Sequence, residues 1–147
     1  MHPSPIKAVS VAVFHNGKFL LVRRGRPPAF GLYAFPGGKV EADESLDEAV
    51  RREAMEETSA ELTDIRHIVD LEIPCENDNS IIQFVLSVHG ARFVGGIINA
   101  GDDAAEVDWF SIDEMRKLPL AASVLEIAQQ IAAEFVMETA NSIAGNT

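Results

Sequence analysis

Several things are scarce in this chain, and each scarcity removes a class of answers. One cysteine, Cys75, occurs in 147 residues. No disulfide can close within the chain, and a lone thiol in an expected strand reads as packing rather than chemistry. No apolar run approaches the ~18 residues of a membrane span, and no charged-then-apolar leader opens the sequence, so a cytoplasmic protein with no membrane partner is expected. Positive charge is short as well. Lys and Arg number 12 against 23 Asp and Glu, a net charge of −11, which argues against nonspecific nucleic-acid binding, since that relies on a basic surface. Repeats and low-complexity tracts are also missing. What remains is 47% apolar, enough for one globular domain over 1–147 with a real core.

What the chain does have is acid where a helix should be apolar. Residues 37–60 read GGKVEADESLDEAVRREAMEETSA. Advancing ~100° per residue from Leu46, the positions Glu56, Ala49, Glu53, Leu46, Glu57, Val50 and Ala54 share an arc of about 160°. Asp47, Glu48, Arg51, Arg52 and Met55 take the other side. Glu53, Glu56 and Glu57 thus extend the Leu46/Ala49/Val50 stripe expected to pack inward, and their mutual repulsion has no partner inside that stripe. On this reading, removing a charge leaves stability equal or higher without metal. A divalent cation resolves the repulsion, and oxygen donors without His or Cys favour Mg²⁺ or Mn²⁺ over zinc. The plainer reading is a soluble helix with i,i+4 pairs, which Glu48–Arg52 and Asp47–Arg51 suit.

The flanking residues sharpen the choice. Gly38, Glu44, Arg52-Glu53, Glu56-Glu57 and Ser59-Ala60 closely resemble the signature box of the Nudix hydrolase family, departing from it only in Ser59, where the second glycine usually stands. The departure falls at the helix C-terminus, where glycine relieves a left-handed backbone, and it removes no acidic ligand.

Organisation follows from local pattern. Ile6 to Phe14 alternates, His15-Asn16-Gly17 reads as a turn and Lys18 to Arg23 as the returning strand. Gly25 to Gly31 is a loop, Leu32 to Phe35 a short strand, and Pro36-Gly37-Gly38 a turn where backbone can approach a ligand. Ser45 with Glu48 forms a capping box for a helix running to Thr58. Strands are expected at Leu62 to Ile73, Ser80 to His89 and Ala105 to Phe110, with a turn at Glu76-Asn77-Asp78-Asn79 and a short helix from Ile112 to Lys117. Val124, Ala128, Ile131 and Phe135 mark a long amphipathic helix over Ala122 to Glu138, and 140–147 is expected to fray. This order predicts an α/β fold, a mixed sheet covered on both faces as an α/β/α sandwich. The Nudix resemblance implies the same architecture.

The resemblance also implies roles. Glu53, Glu56 and Glu57 would bind the metal, Glu53 or Glu56 would accept the proton of an attacking water, and Glu44 would support a metal through a water. Arg52 would orient Glu53 by a salt bridge, against the alternative of a surface role. Family members often take another acid from a remote loop. Here that loop is 101–106, with Glu106 preferred to Asp103. Homodimers are common in the family, so a dimer is expected.

Arg23, which ends a strand, and Lys39, which follows the diglycine, are candidate phosphate binders, with Gly37, Gly38 and Tyr33 also on the substrate side. Six of the twelve cations (Arg23, Arg24, Arg26, Lys39, Arg51 and Arg52) lie between 23 and 52, placing positive charge near the box. Among the aromatics Phe30, Tyr33, Phe35 and Trp109, base stacking competes with core packing.

Arg23-Arg24-Gly25-Arg26, Gly31-Leu32-Tyr33 and Trp109-Phe110 are similar to the bacterial ADP-ribose pyrophosphatase branch, whose members often carry Phe-Asp-His where Ala122-Ser123-Val124 stands here. The leading expectation is a Mg²⁺-dependent hydrolase of a nucleoside diphosphate linked to another group, ADP-ribose first. The alternatives are a pool-cleaning enzyme acting on 8-oxo-dGTP, a noncatalytic nucleotide sensor and a plain structural domain.

Overall fold

The computed structural model describes residues 4–27, 29–101 and 104–145, and the side chains of the last helix as far as Phe135. The first strand, β1 (Ile6–His15), is buried at every position from Ala8 to Val13. An apolar run of this kind is what a strand covered on both faces requires. Its alternation sorts two cores. Val9, Val11 and Val13 face one way and Ala12 the other, as the two-residue period of a strand dictates. Asn16 and Gly17, at φ 52° and 78°, make the left-handed turn that sends the chain back as β2 (Lys18–Arg24).

The hairpin stays closed only at Phe14–Phe19 and His15–Lys18. Beyond that, the Val11 N–H donates to the Pro36 carbonyl at 2.9 Å, and the residues expected to be a diglycine turn instead form a strand, β4 (Gly37–Lys39), antiparallel to β1 with Gly37 opposite Ser10 and Gly38 opposite Val9. Glycine permits this close approach: a Cβ at Gly37 would overlap the Val9 carbonyl oxygen. On its other side β1 pairs in parallel with β6 (Asp78–Gly95), which pairs antiparallel with β5 (Glu61–Cys75). Both outrun their sequence-based bounds, because the turn between them shrinks to residues 76 and 77. β2 carries β3 (Tyr33–Ala34) and β7 (Ala104–Phe110), completing a seven-stranded mixed sheet.

Helix α1 (Leu46–Thr58) covers the valine face through Ala49, Val50 and Ala54. Leu46, expected inside, is 41% exposed, so the buried stripe starts one turn later than the periodicity suggests. The short helix α2 (Ile112–Met115), with its Ser111/Glu114 capping box, and α3 (Val124–Gly145) cover the opposite face through Met115, Val124, Ile127, Ala128, Ile131 and Phe135. The helical path continues to Gly145 rather than fraying from 140. No helix of the described residues is long and apolar enough to cross a membrane.

The end of α1 is held from outside itself. Ser59 is left-handed at φ 64°, its N–H donating to the Met55 carbonyl at 2.9 Å, while the loop after β6 supplies the N–H groups of Asn99 to Thr58 O and Gly101 to Glu57 O. Carbonyls that a helix terminus leaves without partners are thereby satisfied. The left-handed region penalises a Cβ by about 1–2 kcal/mol, offset in part by the greater unfolded-state freedom of glycine. Ser59→Gly is therefore expected to stabilise by about 0.5–1 kcal/mol, read as a higher urea midpoint at unchanged m-value.

Candidate active site

Arg52 is the organiser. Its side chain leaves α1 with 21% exposure and forks onto Glu44, Nε donating to Oε2 at 2.6 Å and Nη2 to Oε1 at 2.9 Å. The Nη1 group donates to Oε1 of Glu53 at 2.8 Å and to Oε2 of Glu56 at 3.1 Å, and Nη2 also reaches the Lys39 carbonyl at 3.0 Å. Glu41 closes the ring, its carboxylate 3.7 Å from Nη1 and its N–H on Glu44 Oε1 at 3.0 Å. A planar guanidinium with five donors suits such a role.

The network corrects one expectation from the helical wheel. Glu53 and Glu56 do not face one another uncompensated, because Arg52 meets one oxygen of each. Removing the Glu53 charge in the metal-free protein consequently loses an attraction instead of relieving a repulsion. Among the described residues, no three His, Cys, Asp or Glu side chains are gathered closely enough to hold a metal ion as they stand.

Glu44 shows the strength of the fork. The hydrogen bonds from Arg52, then the one from the Glu41 N–H, hold its pKa down to about 2 from 4.5, while Glu44 in turn raises that of Arg52. A carboxyl whose pKa is depressed on folding contributes stability that is complete above its ordinary value and fades as pH falls through the folded one. The Glu44–Arg52 lock should hold from neutrality to pH ~4.5 and open only toward pH ~2. A carboxyl ¹³C titration of Glu44 is the check, and a midpoint near 4.5 would show the fork to be absent in solution.

Strand β4 sets the floor of the site. A Cβ at Gly38 would lie 2.5 Å from Oε1 and 2.7 Å from Oε2 of Glu53, so the carboxylate rests directly on strand backbone. The donors around this floor are all carboxylate or carbonyl oxygens, the chemistry of a hard divalent cation. Glu57, half-buried, follows in the last turn of the helix.

The side chains of the remaining expected residues lie outside the Arg52 network. Lys39 is exposed, and it is its carbonyl that Arg52 uses. Arg51 points away from the site, to Asp47 and the Leu62 carbonyl, so it does not add to the local positive charge. Glu106, placed with the metal ligands by resemblance, is joined here to Arg23 at 3.4 Å and to the Tyr33 hydroxyl at 3.0 Å. Burial first, then this hydrogen bond, raises the pKa of the Tyr33 phenol. Asp103 lies outside the described residues. Phe35 is core, packed on Phe19, and Trp109 joins His15 and Phe93, whereas Phe30 is 70% exposed. Sequence reasoning missed Glu41, although an acid three residues before Glu44 is the signal of the turn that positions it, with Glu44 N–H on Glu41 O at 3.2 Å.

Comparison with known proteins identifies the family and the fold. An ADP-ribose pyrophosphatase of Methanocaldococcus jannaschii is 34% identical over 118 residues, covering 78% of this chain and 66% of its own. Several other curated relatives are matched over less than half their length. The structure of a MutT NUDIX hydrolase from Burkholderia pseudomallei superposes with a TM-score of 0.75 at 27% identity, over 87% of this chain and 98% of that one. A bifunctional NMN adenylyltransferase/ADP ribose pyrophosphatase of Francisella tularensis, solved with AMP and a Mn ion, matches with a TM-score of 0.73 at 25% identity, over 89% of this chain and 42% of that one. Residues 4–131 match the NUDIX domain family, and with the signature box built around Arg52 and Gly38, the chain belongs to the Nudix hydrolases.

Proposed function

We propose that this protein hydrolyses the pyrophosphate bond of a nucleoside diphosphate linked to another group, with an ADP-ribose-like compound as substrate and Mg²⁺ or Mn²⁺ as the required cation. The observation that carries the reading is the Arg52-centred carboxylate network seated on Gly38. The names of the Methanocaldococcus and Francisella proteins support the substrate class.

Glu53, Glu56 and Glu57 would hold the cation, which would neutralise charge on the phosphate oxygens and so make the phosphorus more open to attack. Water adds to one phosphorus, the bridging P–O bond breaks and two monophosphates leave. The proton released by that water passes to Glu53 or Glu56. Arg52 keeps both carboxylates in place, and Glu44 keeps Arg52 in place. Arg23 and Lys39 meet the phosphates, countering an overall charge of −11 that would otherwise repel a polyanion. The partner is accordingly a small nucleotide met in the cytoplasm.

The test is a panel of ADP-ribose, other nucleoside diphosphate conjugates and 8-oxo-dGTP, assayed for released phosphate products with Mg²⁺ and with chelator. Cation-dependent formation of AMP from ADP-ribose is expected. Preference for 8-oxo-dGTP would move the assignment to pool cleaning, and no turnover of any compound would overturn it.

A further inference from the structure

Glu106 on β7 stands directly opposite Arg23 on β2. The two oxygens of its carboxylate are divided: Oε1 accepts from Arg23 Nη1 at 3.4 Å and Oε2 from the Tyr33 hydroxyl at 3.0 Å. Each partner is fixed a second time. Arg23 Nε donates to the Gly31 carbonyl at 3.3 Å, and the Tyr33 ring packs edge-on against Phe110 with centroids 5.4 Å apart. The Tyr33 backbone is tied on both sides, its N–H to Pro119 O at 2.8 Å and its carbonyl to Ala121 N–H at 2.9 Å.

We propose that Glu106 is a positioning residue of the substrate pocket, fixing the Arg23 guanidinium and the Tyr33 phenol toward the diphosphate-linked nucleotide, and that it is not a ligand of the metal. The proposal rests on the hydrolase reading above and specifies how its substrate is held. Two arguments support it. A carboxylate that accepts one hydrogen bond on each oxygen, from a guanidinium and from a phenol, has fewer lone pairs to offer a cation, and the guanidinium charge beside it opposes a second positive charge. Arg23 commits two donors to Glu106 and Gly31, while a guanidinium has five, so the same anchoring leaves N–H groups for phosphate on a side chain whose rotamer is already set. Arg23 and Glu106 are 45% and 55% exposed. A pair this open contributes little to stability, so a functional effect on its removal separates cleanly from unfolding.

Three measurements on Glu106→Gln decide the matter. KM for ADP-ribose should rise about tenfold with kcat within about threefold, the loss expected from one charge-assisted contact in binding. Affinity for Mn²⁺ alone, read by electron paramagnetic resonance, should stay within about twofold, and calorimetry of ADP-ribose in chelator should show the same tenfold weakening. Tyr33→Phe added to Glu106→Gln should weaken binding by less than it does in the wild type, since the two act as a unit. A tenfold fall in Mn²⁺ affinity, or a collapse of kcat at unchanged KM, makes Glu106 a ligand or proton acceptor and overturns the proposal, as would unchanged KM and kcat. Wild-type inactivity toward every nucleotide sinks the hydrolase reading, whereas the calorimetric comparison still tests Glu106. Wild-type protein that binds no ADP-ribose in chelator sinks this inference too.

Discussion

Glu53→Gln is expected to lower turnover by about 10²–10⁴-fold, the range for a positioned proton acceptor or a lost charge at a metal site. The substitution keeps the side chain's shape, so the contact with Gly38 and a neutral hydrogen bond from Arg52 survive. The charge is what disappears. Stability should fall by about 1 kcal/mol in chelator, because a charge-assisted hydrogen bond from Arg52 at 2.8 Å is replaced by a weaker one. The sign is informative: the helical wheel alone predicts equal or higher stability, and only the guanidinium between the two glutamates reverses it. Urea unfolding in chelator and kcat at saturating Mg²⁺ measure the two parts separately. Turnover within threefold of wild type would remove Glu53 from the chemistry.

Much of the helix was legible because its signals are local. The Ser45/Glu48 box, the apolar spacing of Ala49, Val50 and Ala54, and the left-handed stop at Ser59 all sit within a few residues of the features they control. The site's partnerships were legible in part. Arg52 and Glu53 are adjacent, and the family spacing brings Glu44 to them. The β4 segment reads locally as a turn, since two glycines follow a proline, whereas their real role is set by β1, nearly thirty residues earlier. The Glu106–Tyr33–Arg23 cluster spans 83 residues. It follows from the pairing of β2 with β3 and β7, and no spacing rule within any one segment encodes that pairing. Leu46 failed for a related reason: periodicity names a face but not where along it the sheet begins to cover the helix.

Adjacent glycines of β4 should respond to the same substitution in opposite ways. At Gly37 an added methyl overlaps the Val9 carbonyl oxygen and stands 2.8 Å from the Ser10 Cα. Both are backbone of the central strand, so β4 must part from β1, and Gly37→Ala is expected to cost about 3 kcal/mol or more. At Gly38 the three atoms nearest the methyl all belong to the Glu53 carboxylate, Oε1, Cδ and Oε2 at 2.5, 2.6 and 2.7 Å. Neither glycine has a positive φ, so alanine is tolerated by the backbone itself and the neighbours decide. A carboxylate at the end of a side chain can move, and the fold survives. The movement drags Glu53 off its bond to Arg52 by about an ångström, however, and displacement on that scale in a catalytic group costs about 10²-fold in rate. Gly38→Ala should therefore lose about 1 kcal/mol of stability, as expected when the Arg52–Glu53 bond is weakened, and about a hundredfold in turnover, while Gly37→Ala unfolds much earlier in urea. If Gly38→Ala retains full activity, the carboxylate that rests on β4 is not the one that acts on the substrate.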